Sequence, residues 1–176
     1  MTVTQRDAIQ RLHRHLVRIG HPPRILVADD DKTTRLLWGD YLKPFGTDIH
    51  SAQSGREAIA MIKANRYSVV LLDLWLGDMN GLQVINSVGH LSNFIIFTGH
   101  ANSDEAREAA TMNGALYKLQ KETDATKSHD QLVMIYGTMV LLAHGRDKVN
   151  PPAWLHLLLG RMPSLVIVTK ILAKIL

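Results

Sequence analysis

The chain has 176 residues, 46% hydrophobic and 20% charged, enough for one buried core plus about fifty residues of flanking elements. It contains no cysteine, which excludes disulfides and thiolate metal sites. The net charge of +4 is uneven: residues 1–24 carry five Arg against Asp7, and residues 145–176 carry Arg146, Lys148, Arg161, Lys170 and Lys174 against Asp147. The stretch between is acidic. The basic flanks read first as solvated helix faces and only secondarily as a nucleic-acid or membrane surface. The first twenty residues are studded with Arg and His, unlike a signal peptide, and the apolar, uncharged stretch at residues 131–145 is too short to span a bilayer. A soluble cytoplasmic protein without a transmembrane segment is the expectation.

In chain order, Ile9, Leu12, Leu16 and Ile19 make the stripe of an amphipathic helix over 5–19, ended by His21-Pro22-Pro23. His13 and His15 lie together on it, the one histidine spacing that stands out. The chain then alternates. Residues 24–28 are a short apolar run ending in three aspartates, and 32–43 a helix stopped by Pro44 and Gly46. Residues 48–52 form a weak strand and 55–64 a helix. Residues 68–72 are apolar on both faces, as a strand buried in a parallel sheet must be. A turn-rich loop (77–81) leads to a helix ending near Gly89. A strand at 94–97, a helix at 104–112, a strand at 115–119 and a long helix at 130–144 complete the pattern. Five strands alternating with helices predict an α/β fold with a five-stranded parallel, doubly wound sheet. Ligands of such sheets bind outside the carboxyl ends of the strands.

Those ends carry polar residues suited to a phosphoryl group or a hard cation. The first strand ends at Asp29-Asp30-Asp31, the third at Asp73, the fourth at Thr98 and the fifth just before Lys121. Clustered carboxylates repel one another, and all-oxygen ligands favour Mg²⁺ or Mn²⁺. Lys121 offers a fixed positive charge and Thr98 a hydroxyl donor. Together with a carboxylate nucleophile they outline a site that forms an aspartyl-phosphate.

Five segments in order resemble response-regulator receiver domains: Ile25–Asp31, Ala52–Ala58, Val70–Gly81, Ile96–Gly99 and Gly114-Ala115 leading to Lys121. The resemblance implies a flavodoxin-like (βα)5 receiver at 24–144 of a two-component phosphorelay. It is flanked by an N-terminal helix and linker (1–23) and a C-terminal helical extension (145–176). It implies Asp73 as phosphoacceptor, Asp30 as direct Mg²⁺ ligand, Asp29 acting through metal-bound water, and the backbone carbonyl of Trp75 completing the protein ligands. Thr98 and Lys121 would contact the phosphoryl group, and Gly99 would leave room for it. Asp31 is expected to be only a helix N-cap, and Gly81 to serve the tight turn behind Asp73. The implied partners are a histidine kinase or phosphotransfer protein and a downstream protein target. The chain would catalyse only its own phosphorylation and dephosphorylation, so it is not expected to be an enzyme in the ordinary sense. A phosphorylation-independent interaction adaptor is the alternative.

Three features depart from the family pattern. Glu122 follows Lys121 where the family usually has proline. Lys118 stands where it usually has the switch aromatic, with Tyr117 beside it on the opposite strand face unless the register slips. The stretch from Asp73 to Thr98 is 25 residues, so the helix between or its loop is trimmed. Trp75 is expected to lid the site and His100 to sit at its rim. The 130–144 helix is apolar nearly all round, so something besides the sheet must cover it. Residues 150–176 are expected to do so, within one chain or across a homodimer. They are too short for a DNA-binding effector and show no catalytic signature, so DNA binding is not expected.

Overall fold

The computed structural model describes residues 5–99, 102–112, 114–121 and 125–147, with residue 5 and the ranges 125–129 and 145–147 as backbone only. The expectations for His100, for Glu122 and for the tail beyond Asp147 lie outside the described residues. The chain forms two compact units: residues 24–121, and a second built from the segments on either side of them.

Residues 24–121 hold five parallel strands, β1 (Arg24–Ala28), β2 (Asp48–Ala52), β3 (Val69–Leu72), β4 (Phe94–Thr98) and β5 (Ala115–Gln120), in the order β2-β1-β3-β4-β5. This is the doubly wound, flavodoxin-like sheet read from the sequence. β3 and β4 are buried at every position, which is why their sequences are unbroken apolar runs rather than alternations. The helices between them are α2 (Lys32–Leu42), α3 (Gly55–Ala64), α4 (Gly81–Val88) and α5 (Asp104–Ala109), with a single 3₁₀ turn at Lys43–Phe45. Each start is fixed locally. Asp31, Ser54 and Ser103 accept bonds from the first-turn amides of α2, α3 and α5, and Asn80 with Gln83 forms a capping box on α4. Asp31 thus has the cap role expected of it, accepting from the amides of Thr33 and Thr34 at 3.2 and 2.8 Å.

Strand periodicity sorts the core. Leu26, Ala28, Val70, Leu72, Phe94 and Ile96 face one way and pack with Ala58, Ile62, Val84, Ile85, Val88, Ala106 and Ala109 of α3, α4 and α5. Phe97, of the opposite parity, meets Trp38 of α2 edge to face, with ring centroids 4.7 Å apart. At eight residues α4 is short, as the trimmed 73–98 interval requires. Between β4 and β5 the register slips once: Phe94 pairs with Ala115, but Ile95 pairs with Tyr117. Leu116 is the extra residue of a β-bulge. Beyond it Tyr117 is buried and Lys118 only half-buried.

The second unit contains α1 (Gln5–Arg18) packed against α6 (Ala125–Asp147). Ile9, Leu12 and Leu16 of α1 are buried, as are Leu132, Ile135, Tyr136, Met139 and Val140 of α6. The N-terminal stripe therefore helps to cover the all-apolar last helix, a partner the sequence reading did not name. α6 also begins five residues earlier than the apolar pattern does.

Candidate functional site

In the order β2-β1-β3-β4-β5 the winding reverses between β1 and β3, so the crevice at their carboxyl ends is the ligand position of this topology. The backbone extends the ladder past both strands. The Asp29 amide donates to the Ala52 carbonyl at 3.1 Å, and the Asp73 amide to the Ala28 carbonyl at 2.9 Å. These bonds set two carboxylates side by side at the switch point. Asp29 and Asp73 are buried at 1% and 6% exposure, whereas Asp30 is exposed. One oxygen from each of Asp29, Asp30 and Asp73 falls within 4.8 Å of the other two.

Lys121 joins them from β5. Its amide donates to the Thr98 carbonyl at 3.0 Å, which draws the residue after β5 over the strand ends. Its ammonium lies 2.6 Å from Asp29 Oδ2 and 2.5 Å from Asp73 Oδ2. Burial pushes the Asp29 carboxyl above the usual aspartate range against the pull of Lys121, and the charge of Asp73 adds to the rise. Burial alone would depress the Lys121 ammonium. Its hydrogen bonds and charge pairing with Asp29 and Asp73 outweigh that and hold it above the usual lysine range. Thr98 is fully buried as the last residue of β4. Open space lies beside Gly99 where a Cβ would stand.

The loop after β3 is held from several sides. Trp75 forms an antiparallel bridge with Asn80, and its side chain is 53% exposed. Gly77 turns the chain at φ 72°, a left-handed conformation that favours glycine. Asp78 accepts from the Gly55 and Arg56 amides at 2.7 and 3.1 Å, tying the loop to the start of α3. Those donors, Gly55 first, hold its carboxyl below the usual range. Gly81 donates to the Leu74 carbonyl, and a Cβ on it would stand 2.6 Å from the Asp73 carbonyl oxygen.

Two positioning residues escaped the sequence reading. The Arg35 guanidinium donates to the backbone carbonyls of Asp29 and Asp30 at 2.7 and 2.9 Å, fixing the acidic turn from one turn inside α2. Its place four residues beyond the Asp31 cap was the available signal. Asp78 offered none, since its partners lie 22 and 23 residues away.

Three carboxylates and one ammonium leave the cluster at a formal charge of −2, with hard oxygen donors only. A divalent oxophilic cation fits that set. Asp30, exposed and outside the Lys121 bridge, is the carboxylate best placed to be drawn in by it. Asp30→Asn should therefore weaken Mg²⁺ binding at least about tenfold, read by titrating Trp75 fluorescence. Unchanged affinity would contradict the assignment.

A doubly wound parallel sheet with an acidic, lysine-bridged mouth at its switch point defines an α/β module built to hold a charged ligand there. The family model for the response regulator receiver domain matches residues 25–132, and the chain belongs to that family. It is similar to the transcriptional regulatory protein HptR of Staphylococcus aureus, 28% identical over 123 residues, covering 66% of this chain and 46% of that protein. It is also similar to the regulatory protein LuxO of Vibrio vulnificus, 38% identical over 86 residues, covering 47% of this chain and 19% of that one. The chain thus spans less than half the length of these relatives. Among solved structures, a signal receiver domain from Vibrio parahaemolyticus superposes with a TM-score of 0.58 at 28% identity, covering 66% of this chain and 92% of that one. A response regulator from Burkholderia pseudomallei, solved with a phosphorylated aspartic acid and a calcium ion, gives 0.55 at 25% identity, covering 62% and 66%.

Proposed function

We propose that this chain accepts a phosphoryl group on Asp73 from a phosphohistidine of a histidine kinase or phosphotransfer protein, and signals through protein–protein contacts. The observation that carries this reading is the buried Asp73 carboxylate bridged by Lys121 and grouped with Asp29 and Asp30. An Asp73 carboxylate oxygen attacks phosphorus, the bond from phosphorus to the donor imidazole nitrogen breaks, and the imidazole leaves with the electron pair. The Lys121 ammonium pairs with a phosphoryl oxygen, and the Thr98 hydroxyl donates to another. Asp29, Asp30, Asp73 and the Trp75 carbonyl would hold Mg²⁺ or Mn²⁺, which supplies charge neutralisation for the incoming phosphoryl group. Hydrolysis of the acyl phosphate is the only other reaction we assign.

We take the receiver as residues 24–144, because the family match runs into α6, with 1–23 and 145–176 as flanking elements. Among the described residues no helix is long and apolar enough to cross a membrane, which accords with a cytoplasmic setting. The reading includes a homodimer through the terminal helices, which sedimentation of the full chain tests: a concentration-independent monomer contradicts it. Half-buried Lys118 favours the second reading, an adaptor that signals without phosphate. Incubation with Mg²⁺ and a small phosphodonor such as phosphoramidate separates the two. The phosphoacceptor gains one hydroxylamine-labile phosphoryl group per chain, and the adaptor gains none.

A further inference from the structure

The loop that carries the Trp75 carbonyl leaves the core at two buried side chains, Leu74 and Leu76, and then reverses. In the reversal the Asp78 amide donates to the Leu76 carbonyl at 2.8 Å, and the Leu76 amide to the Met79 carbonyl at 3.3 Å. Both sides of this turn bear on the acidic mouth. Trp75 is bridged to Asn80 across it. A Cβ on Gly77, at its apex, would stand 3.5 Å from Asp30 Oδ2. A shift of the turn therefore displaces the Trp75 backbone and the surroundings of Asp30 together.

Two contacts fasten the turn to α3. The Asp78 side chain, 24% exposed, accepts from both the Gly55 and the Arg56 amides at 2.7 and 3.1 Å. The first amides of a helix lack partners within it. Ser54 caps α3 locally by accepting from Glu57 alone, and Asp78 takes the two donors before it. Met79 lies so close over Gly55 that a Cβ there would stand 2.6 Å from its Sδ. The Arg56 guanidinium adds little. Its side chain is 82% exposed and its Nε is 3.9 Å from Asp78 Oδ2.

We propose that Asp78 is a positioning residue of the cation site, whose clasp on the start of α3 holds the 75–79 turn in the form that receives Mg²⁺. The inference rests on the reading of Asp29, Asp30, Asp73 and the Trp75 carbonyl as the cation's ligands. Asp78 is not one of that set and acts through the turn. With the clasp open, the turn adopts the binding form only part of the time, and the apparent affinity falls by that fraction. Linkage makes the effect reciprocal: the bound cation makes opening of the clasp rarer by the same factor.

Mg²⁺ titration of the full-length protein, read by tryptophan fluorescence at constant ionic strength and without phosphodonor, is paired with amide exchange of the wild type. Asp78→Asn keeps the size of the side chain but replaces one accepting oxygen by an NH₂ group that cannot accept. Its Mg²⁺ affinity should fall about tenfold or more, whereas Arg56→Gln should bind as the wild type does. In the wild type, saturating Mg²⁺ should slow exchange of the Gly55 and Arg56 amides by the factor that Asp78→Asn loses in affinity. A merely structural role for Asp78 would leave that exchange unmoved. If Asp78→Asn fails to fold, the exchange decides alone. Equal affinity of Asp78→Asn and wild type, exchange unmoved by Mg²⁺, or an equal loss in Arg56→Gln would overturn the proposal and leave the cation site standing. A wild type that binds no Mg²⁺ would instead remove the cation site, and the role of the clasp with it.

Discussion

Asp73→Asn should reduce phosphoryl uptake to background while the fold and the sheet remain intact. The substitution is nearly isosteric and keeps the Asp73 amide bond to Ala28, but an amide oxygen is a far poorer nucleophile than a carboxylate. Lys121→Ala should behave differently. Its ammonium is the counter-charge of both Asp29 and Asp73, and removing one partner from a buried ion pair costs about 3–5 kcal/mol. The metal-free variant should therefore unfold at lower temperature than the wild type. Mg²⁺ should recover more stability in the variant than in the wild type, since it binds the native cluster and replaces the missing charge. Phosphoryl uptake should stay low even with metal present. Thermal melts with and without Mg²⁺, alongside uptake from a small phosphodonor, separate the roles. Equal melting of Lys121→Ala and wild type in EDTA would show that the bridge carries no stability.

Gly81→Ala should impair phosphorylation far more than it impairs folding. A Cβ at Gly81 would lie 2.6 Å from the Asp73 carbonyl oxygen and 3.0 Å from Leu74 Cα, both backbone atoms that cannot rotate away. Overpacking of this kind costs about 1–3 kcal/mol. The relief must come from shifting the segment that carries Asp73, and a misplacement of about 1 Å at a reacting group can cost about a hundredfold in rate. Gly39 provides the contrast. It lies inside α2 with open space where a Cβ would stand, so Gly39→Ala should be neutral or stabilise by about 0.5–1 kcal/mol. Denaturant melts and phosphorylation rates of the two variants check this. A Gly81→Ala protein as active as Gly39→Ala would mean that the turn behind Asp73 tolerates displacement.

Much of this was legible in the sequence because the relevant signals are local. Apolar runs of four or five residues ending in Asp29, Asp73 and Thr98 mark strands and strand ends together, and the alternation with helices fixes a parallel sheet. Lys121 could be placed beside the acids because it follows the last run. What escaped depends on pairing between distant segments. The β5 bulge at Leu116 is set by register with β4, which propensity does not encode; the slip beyond it accompanies a buried Tyr117 and a half-buried Lys118. The bonds of Asp78 to the start of α3 and of Arg35 to the acidic turn exist only once the loop and helix are docked. The stripe of α1 and the all-apolar α6 were each visible, but two apolar faces do not name each other. The first residues of α6, Ala125 to His129, lack the apolar periodicity that would have marked them as helix.

The central claim is that Asp73 is the phosphoacceptor, and borohydride trapping reads it directly. Protein incubated with Mg²⁺ and a small phosphodonor is reduced, which converts an aspartyl-phosphate to homoserine, and is then mapped by peptide mass spectrometry. The site geometry predicts homoserine at position 73 and nowhere else, dependent on the phosphodonor. Homoserine at Asp29 or Asp30, or none at position 73 despite stoichiometric phosphoryl uptake, would contradict it.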